Sequence, residues 1–280
     1  MNRQPLRRHV RTPLALMATA GIAAGVLAVT VAPASAVKAP TTHTRKPTVV
    51  LVHGAFADAT SWNGVVKKLK RDGYPVVAAA NPLRGLRSDA AYVKELLAGI
   101  DGPVVLAGHS YGGAVITNAA RGADNVKALV YIAAFIPDAG ESALDLADKF
   151  PGSTLGAALR PVPVTLPDGS RGQDLYIEQG KFHRQFAADV PKNTADIMAV
   201  TQRPVTAAAL AEDSSTPAWK TVPSWALVAT EDRNIPARTQ HFMAERADAR
   251  TVEVRASHAV SVSRPGDVSR IIEEAARATR

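Results

Sequence analysis

The residues best suited to chemistry in this 280-residue chain lie together at Gly108-His109-Ser110-Tyr111-Gly112-Gly113. The apolar run Val104-Val105-Leu106-Ala107 precedes them, and a small-residue stretch from Ala114 to Arg121 follows. A G-x-S-x-G sequence between a strand and a helix makes a turn so sharp that the serine takes strained backbone angles and exposes its Oγ above the sheet. Such a serine serves acyl transfer when a histidine takes its proton and a carboxylate orients that histidine. The chain has no cysteine. Thiol nucleophiles, thiolate metal sites and disulfides are therefore excluded, and Ser110 is the well-placed nucleophile.

The partners should follow in the order serine, acid, histidine. His183, His241 and His258 lie downstream. His183 falls in a segment without sheet rhythm, and His241 falls inside a helical pattern. His258 follows the apolar-alternating stretch Thr251–Arg255 in a short loop, where a general base at a strand's carboxyl end belongs. The acid should follow the preceding strand. The loop Ala229-Thr230-Glu231-Asp232-Arg233-Asn234-Ile235-Pro236 offers Asp232, with Glu231 beside it. Asp138, after the strand expected from Val126 to Phe135, is the alternative acid. A tetrahedral intermediate also needs two convergent N–H donors. Tyr111 N–H, just after the nucleophile, is one. Ala55 N–H in His53-Gly54-Ala55-Phe56 is the expected second, with Phe56 as the alternative. His53 precedes the elbow and reads as a brace for that loop.

The elements that must position these groups are legible from periodicity. Thr48–Val52 is a continuous β-branched run, as in strands buried on both faces. Ser61 to Asp72 carries Trp62, Val65, Val66 and Leu69 at helical spacing and stops at Gly73. Tyr74–Ala80, Pro103–Ala107, Val126–Phe135, Trp225–Thr230 and Thr251–Arg255 read as further strands. Ser88–Ile100, Ala114–Arg121, Thr239–Ala247 and Asp267–Ala278 read as helices. Alternating strands and helices predict an α/β fold with a doubly wound, mostly parallel sheet. Asp138 to Val222 breaks this rhythm, with several prolines and helical stretches at Asp174–Phe186 and Thr194–Gln202. It reads as a helical lid over the carboxyl ends of the strands, or as a helical excursion without that role. Its apolar residues Leu155, Leu159, Leu175, Tyr176, Phe182 and Phe186 either line a substrate pocket or pack the segment itself.

The net charge of +8 does not point to nucleic acid. Half of it comes from Arg3, Arg7, Arg8 and Arg11, in residues 1–36, which hold no acid. An apolar run from Leu14 to Ala32 and the small-residue site Ala34-Ser35-Ala36 follow these arginines. That pattern predicts a secretory signal peptide cleaved after Ala36, an uncleaved anchor being the other reading. Residues 37–47, rich in Pro, Thr and Lys, read as a tether, and 48–280 as one domain with its lid at about 138–222. The near-balanced remainder, with 5% aromatic residues and no interleaved basic run, excludes a nucleic-acid partner. Once the leader is removed, no stable membrane association is expected.

These motifs resemble the α/β-hydrolase fold superfamily over essentially all of 48–280. Val52-His53-Gly54-Ala55 resembles its oxyanion signature, Gly108–Gly113 its elbow, Asp232 with Pro236 its acid loop, and His258 its terminal base. Leu51–Ala57, Asn81-Pro82-Leu83, Val105–Gly113 and Ser257-His258-Ala259 are similar to a bacterial group of small serine hydrolases. That group is related to plant esterases and hydroxynitrile lyases. The resemblance implies a cofactor-free serine hydrolase working through an acyl-enzyme; no metal is expected, and the apolar residues of 138–222, with no sign of a peptide cleft, point to a small, largely apolar ester. The lyases carry Lys directly after the histidine, where this chain has Ala259, so lyase chemistry is not implied. Haloalkane dehalogenases need Asp at position 110 and are excluded. C–C bond or lactone hydrolysis of a secondary metabolite, or a non-catalytic binder of the same fold, remain the alternatives.

Overall fold

A computed structural model describes residues 46–166 and 169–279. The expected leader and all but the last two residues of the tether lie outside them. Six strands form the central sheet: β1 (Thr48–Val52), β2 (Val76–Ala79), β3 (Val104–His109), β4 (Val126–Ile132), β8 (Ser224–Ala229) and β9 (Arg250–Val254). Every pairing is parallel, in the order β2-β1-β3-β4-β8-β9. Between these strands run α1 (Asn63–Arg71), α2 (Leu86–Ala98), α3 (Tyr111–Ala119) and α8 (Ala237–Arg246), with α9 (Val260–Ser263) and α10 (Pro265–Ala278) at the end.

The two-residue repeat of the strands sorts their side chains to opposite faces. On one face Val49 and Leu51 of β1 and Val105 and Ala107 of β3 pack with Val65 and Leu69 of α1 and Ile271 and Ile272 of α10. On the other, Val50, Val52 and Leu106 pack with Val93 and Leu97 of α2, Val115 and Ile116 of α3 and Met243 of α8. Because both faces are covered, β1 and β3 read as unbroken apolar runs rather than as alternating ones.

The segment between β4 and β8 contains α4 (Ala143–Asp148), β5 (Leu159–Thr165), β6 (Arg171–Ile177), α5 (Gln179–Phe186), α6 (Lys192–Thr201), β7 (Val205–Thr206) and α7 (Ala207–Ala211). It is therefore not purely helical. β5, β6 and β7 make a separate antiparallel sheet, and the helix expected over Asp174–Phe186 begins only at Gln179. Arg84, in the loop after β2, forms a 2.6 Å ion pair with Asp174 and ties this small sheet to the body.

Chain crossings at the carboxyl ends are tight. A Cβ on Gly108 would lie 2.5 Å from Gly112 O, and one on Gly112 would lie 2.5 Å from Val52 O. Both obstacles are backbone atoms, one in buried helix α3 and one in buried strand β1, so they cannot swing away. Gly112→Ala is expected to cost about 1–3 kcal/mol by overpacking. At about 2–4 °C per kcal/mol for a domain of this size, thermal denaturation should show a clear fall in Tm.

Candidate active site

β3 ends at His109 and α3 begins at Tyr111, so a single residue makes the whole reversal. That residue, Ser110, has φ 55° and ψ −126°, a left-handed-side conformation costly for a residue with a Cβ. Hydrogen bonds on both sides hold it there. Ser110 N–H donates to Ile132 O at 3.3 Å, and Ser110 O accepts from Gly113 N at 2.9 Å and Phe135 N at 3.1 Å. The N-terminus of α3 starts at the next residue and lends partial positive charge to the space beside Oγ.

The sequence placed His258 and Asp232 at the ends of β9 and β8, and the structure brings both to Ser110. His258 Nε2 lies 2.8 Å from Ser110 Oγ. His258 Nδ1 lies 2.7 Å from Asp232 Oδ2. All three residues are buried. The other Asp232 oxygen accepts from Asn234 N at 2.7 Å and Ile235 N at 3.0 Å. Gln240 Nε2 adds a third donor at 3.0 Å to Oδ2. These bonds fix the plane of the carboxylate, whose oxygens accept, so His258 donates to it from Nδ1. Its Nε2 lone pair then faces the serine hydroxyl.

The alternative partners are engaged elsewhere. Asp138 pairs with Lys220 at 2.7 Å, and Glu231 pairs with Arg255 at 2.7 Å. His241 meets Glu253 at 3.0 Å, and His183 Nε2 donates to Val190 O at 3.0 Å. His109 sits beside the site with ring centroids 4.7 Å from His258. Its Nε2 donates to His258 O at 2.8 Å, which fixes its tautomer. Burial, and then the neighbouring His258, lower its pKa to about 3. His109 is thus a neutral spacer. His53 is also held neutral-side by burial. Its Nδ1 donates to Gly54 O at 3.0 Å, and its own carbonyl accepts from Asn81 Nδ2 at 2.9 Å. It braces the loop after β1.

That loop closes on the elbow. A Cβ on Gly54 would meet Ser110 Cβ at 2.6 Å, so glycine is required for the approach. Phe56, at φ 61°, donates its N–H to Arg203 O at 3.0 Å. Neither Ala55 N–H nor Tyr111 N–H has a hydrogen-bond partner among the described residues. Ala55, Tyr111 and Ser110 line one cavity of about 110 Å³, walled mainly by apolar side chains including Phe135, Leu155, Leu159 and Ile235. Of the six apolar residues singled out between 138 and 222, Leu155 and Leu159 therefore face the cavity. Phe182 and Phe186 stack on each other at 5.0 Å, and Phe186 stands edge-on to His258 at 4.9 Å.

Two supporting residues escaped the sequence reading. Gln240 lies on the buried face of α8, one turn after Pro236, and grips Asp232. Asp89 lies on the apolar stripe of α2, one turn before Val93, and accepts from Tyr111 Oη at 2.9 Å and Arg84 N at 3.1 Å. A charged residue on an otherwise apolar stripe was the signal available for Asp89. Burial raises its pKa. Burial, and then Asp89, push the Tyr111 phenol above its ordinary range.

A serine, an imidazole and a carboxylate in hydrogen-bonded sequence, with two free N–H groups beside them, can perform nucleophilic acyl transfer. Over 113 residues the chain is 33% identical to the carbendazim hydrolyzing esterase of Nocardioides sp. (strain SG-4G). That stretch is 36% of this chain and 47% of the relative, so it spans about half the relative's length. The crystal structure of polyneuridine aldehyde esterase superposes with a TM-score of 0.71 and 21% identity, over 82% of this chain and 98% of that one. A pyrethroid hydrolase from Sphingobium faniae JZ-2 gives a TM-score of 0.68 and 21% identity, over 83% and 98%. At such identities the two structures speak for the fold. The alpha/beta hydrolase family matches this chain from Val49 in β1 to Ile271 in α10, nearly the whole sheet and its helices, and the chain belongs to that family.

Proposed function

We infer that the protein is a serine esterase for small, largely apolar carboxylic esters. The observation that carries this reading is the unbroken hydrogen-bond chain from Asp232 through His258 to Ser110, ending in a cavity with two unpaired backbone N–H groups. His258 takes the Ser110 proton as Oγ attacks the ester carbonyl. Asp232 holds the imidazole tautomer and stabilises the imidazolium. Ala55 and Tyr111 N–H groups receive the oxyanion, and the alcohol leaves with the proton from His258. Water, activated by the same imidazole, then releases the acid. The esterase and hydrolase names among its relatives agree with ester cleavage.

The size of the cavity supports a small substrate. About 110 Å³ is well below the roughly 300–1,000 Å³ of sites for drug-sized ligands. The segment from 138 to 222 serves as its cover, since Leu155, Leu159 and Leu210 form part of the cavity wall. The pattern of residues 1–36 supports export with cleavage after Ala36, which intact mass of the expressed chain measures directly. A mass retaining those residues in the exported protein would overturn that part of the reading.

Ser110→Ala should remain folded and lose about 10⁴–10⁶-fold in kcat on p-nitrophenyl butyrate. The variant should also escape labelling by a phosphonate probe. Near-wild-type turnover by folded Ser110→Ala would sink the mechanism. Asp232→Asn should lower kcat about 10⁴-fold, because the amide cannot hold the imidazole in the required tautomer. Asp89 gives a stability test. Its folded pKa is raised, so its contribution is complete below the unfolded value near 4 and is lost as pH rises through the folded value. Asp89→Asn retains an acceptor for Arg84 N and removes that titration. Denaturant melts should show wild type losing more stability than the variant as pH rises from about 4 to neutrality.

A further inference from the structure

Asn234 lines the same cavity as Ser110 and is 2% exposed. Its backbone serves Asp232, but its side chain does not. The orientation of that amide follows from its neighbours. Gln185 Nε2 donates to Arg233 O at 2.9 Å; a carbonyl only accepts, so the nitrogen end of Gln185 must point this way. The second hydrogen of the same nitrogen goes to Asn234 Oδ1 at 2.9 Å. Gln185 Oε1 is anchored in turn by Thr154 Oγ1 at 2.8 Å. Asn234 Oδ1 is therefore committed to Gln185, and Nδ2 is the group left over. It has no hydrogen-bond partner among the described residues, yet it is not one of the side-chain atoms sealed from solvent without a partner. The space it reaches is the cavity.

A buried amide donor left unpaired costs free energy on the scale of a lost hydrogen bond. Ser110, Ser153 and Asp148 also line this largely apolar cavity, but none of them is bonded to Asn234 Nδ2. The one charged side chain among the described cavity-lining residues is Asp148, exposed on α4, so the lining offers no cation to a carboxylate-bearing substrate. A neutral acceptor oxygen fits both facts.

We propose that Asn234 Nδ2 is a substrate-binding donor, and that the preferred ester carries a second, neutral acceptor oxygen (ether, hydroxyl or carbonyl) besides the ester group itself. This rests on the esterase reading above. The donor is preoriented by Thr154, Gln185 and the Arg233 carbonyl, so the substrate meets a fixed amide and does not have to order one. Discrimination follows because an isosteric ester with carbon in place of that oxygen leaves Nδ2 unpaired.

The test uses matched esters with methylene replacing oxygen: p-nitrophenyl methoxyacetate against butyrate for the acyl side, and 2-methoxyethyl against butyl benzoate for the alcohol side. Each pair is run on wild type, Asn234→Asp and Asn234→Leu. Asn234→Asp keeps the acceptor for Gln185 and replaces the donor by an acceptor. In at least one pair, the ratio of kcat/KM for the oxygen ester to that for its carbon isostere should fall about tenfold in both variants. A merely structural role would lower both members alike and leave the ratio unchanged. Ratios within twofold of wild type in both pairs, with the wild type active on them, would overturn the proposal and leave the esterase reading standing. A wild-type chain that hydrolyses none of the four esters and resists the phosphonate probe overturns both.

Discussion

Everything at the carboxyl edge of the sheet depends on the one-residue reversal at Ser110. A strand and a helix joined by a single residue must run almost against each other, and their backbones meet at distances where a methyl group has no room. Gly108 leaves out the Cβ along that contact, and Gly112 and Gly54 do the same where α3 and Ser110 meet β1 and the loop after it. The positive φ of Ser110 is tolerated because Ile132, Gly113 and Phe135 hold its peptide groups from three directions. The strain is thus distributed into β4 and the turn after it. With Oγ fixed in this way, the loops after β8 and β9 need only bring one carboxylate and one imidazole to it.

Polar support around Ser110, His258 and Asp232 is layered outward in the same manner. Asp232 is held by two backbone amides and Gln240. Tyr111, whose N–H adjoins the nucleophile, is pinned at its phenol end by Asp89. His109 packs against His258, and burial lowers the pKa of both His109 and His53.

The sequence revealed the residues whose identity is dictated by local geometry or by chain order. The glycine-flanked serine, the acid and histidine after successive strands, and the apolar runs of β1 and β3 all carry their reasons in their immediate neighbours. What it concealed depends on contacts across the chain. β5 contains Pro161 and Pro163, which argue against a strand in a sheet interior, but β5 is an edge strand with one neighbour, where alternate residues need not donate. Asp174 looked helical because its ion pair with Arg84 lies 90 positions away. Local sequence favours Ala55 over Phe56 as the second donor without excluding Phe56, whose N–H is taken by Arg203 O, 147 positions away. The helical content read into 138–222 is present at α5 and α6, but the reading missed β5 and β6 before them and β7 after them.

The bond from Ala259 N–H to Phe186 O, at 3.0 Å, has a mechanical consequence. Ser257 Oγ reaches the same carbonyl at 3.3 Å and also bonds Asp189. Residues on both sides of His258 are thus moored to the end of α5. Displacing the end of α5 would therefore pull on the loop that carries His258. Helix α4, on another wall of the cavity, makes no hydrogen bond to Ser110, Asp232 or His258 among the described residues, and its Leu144 is half exposed at the rim. The position of His258 is therefore coupled to α5 and, by no such bond among the described residues, to α4.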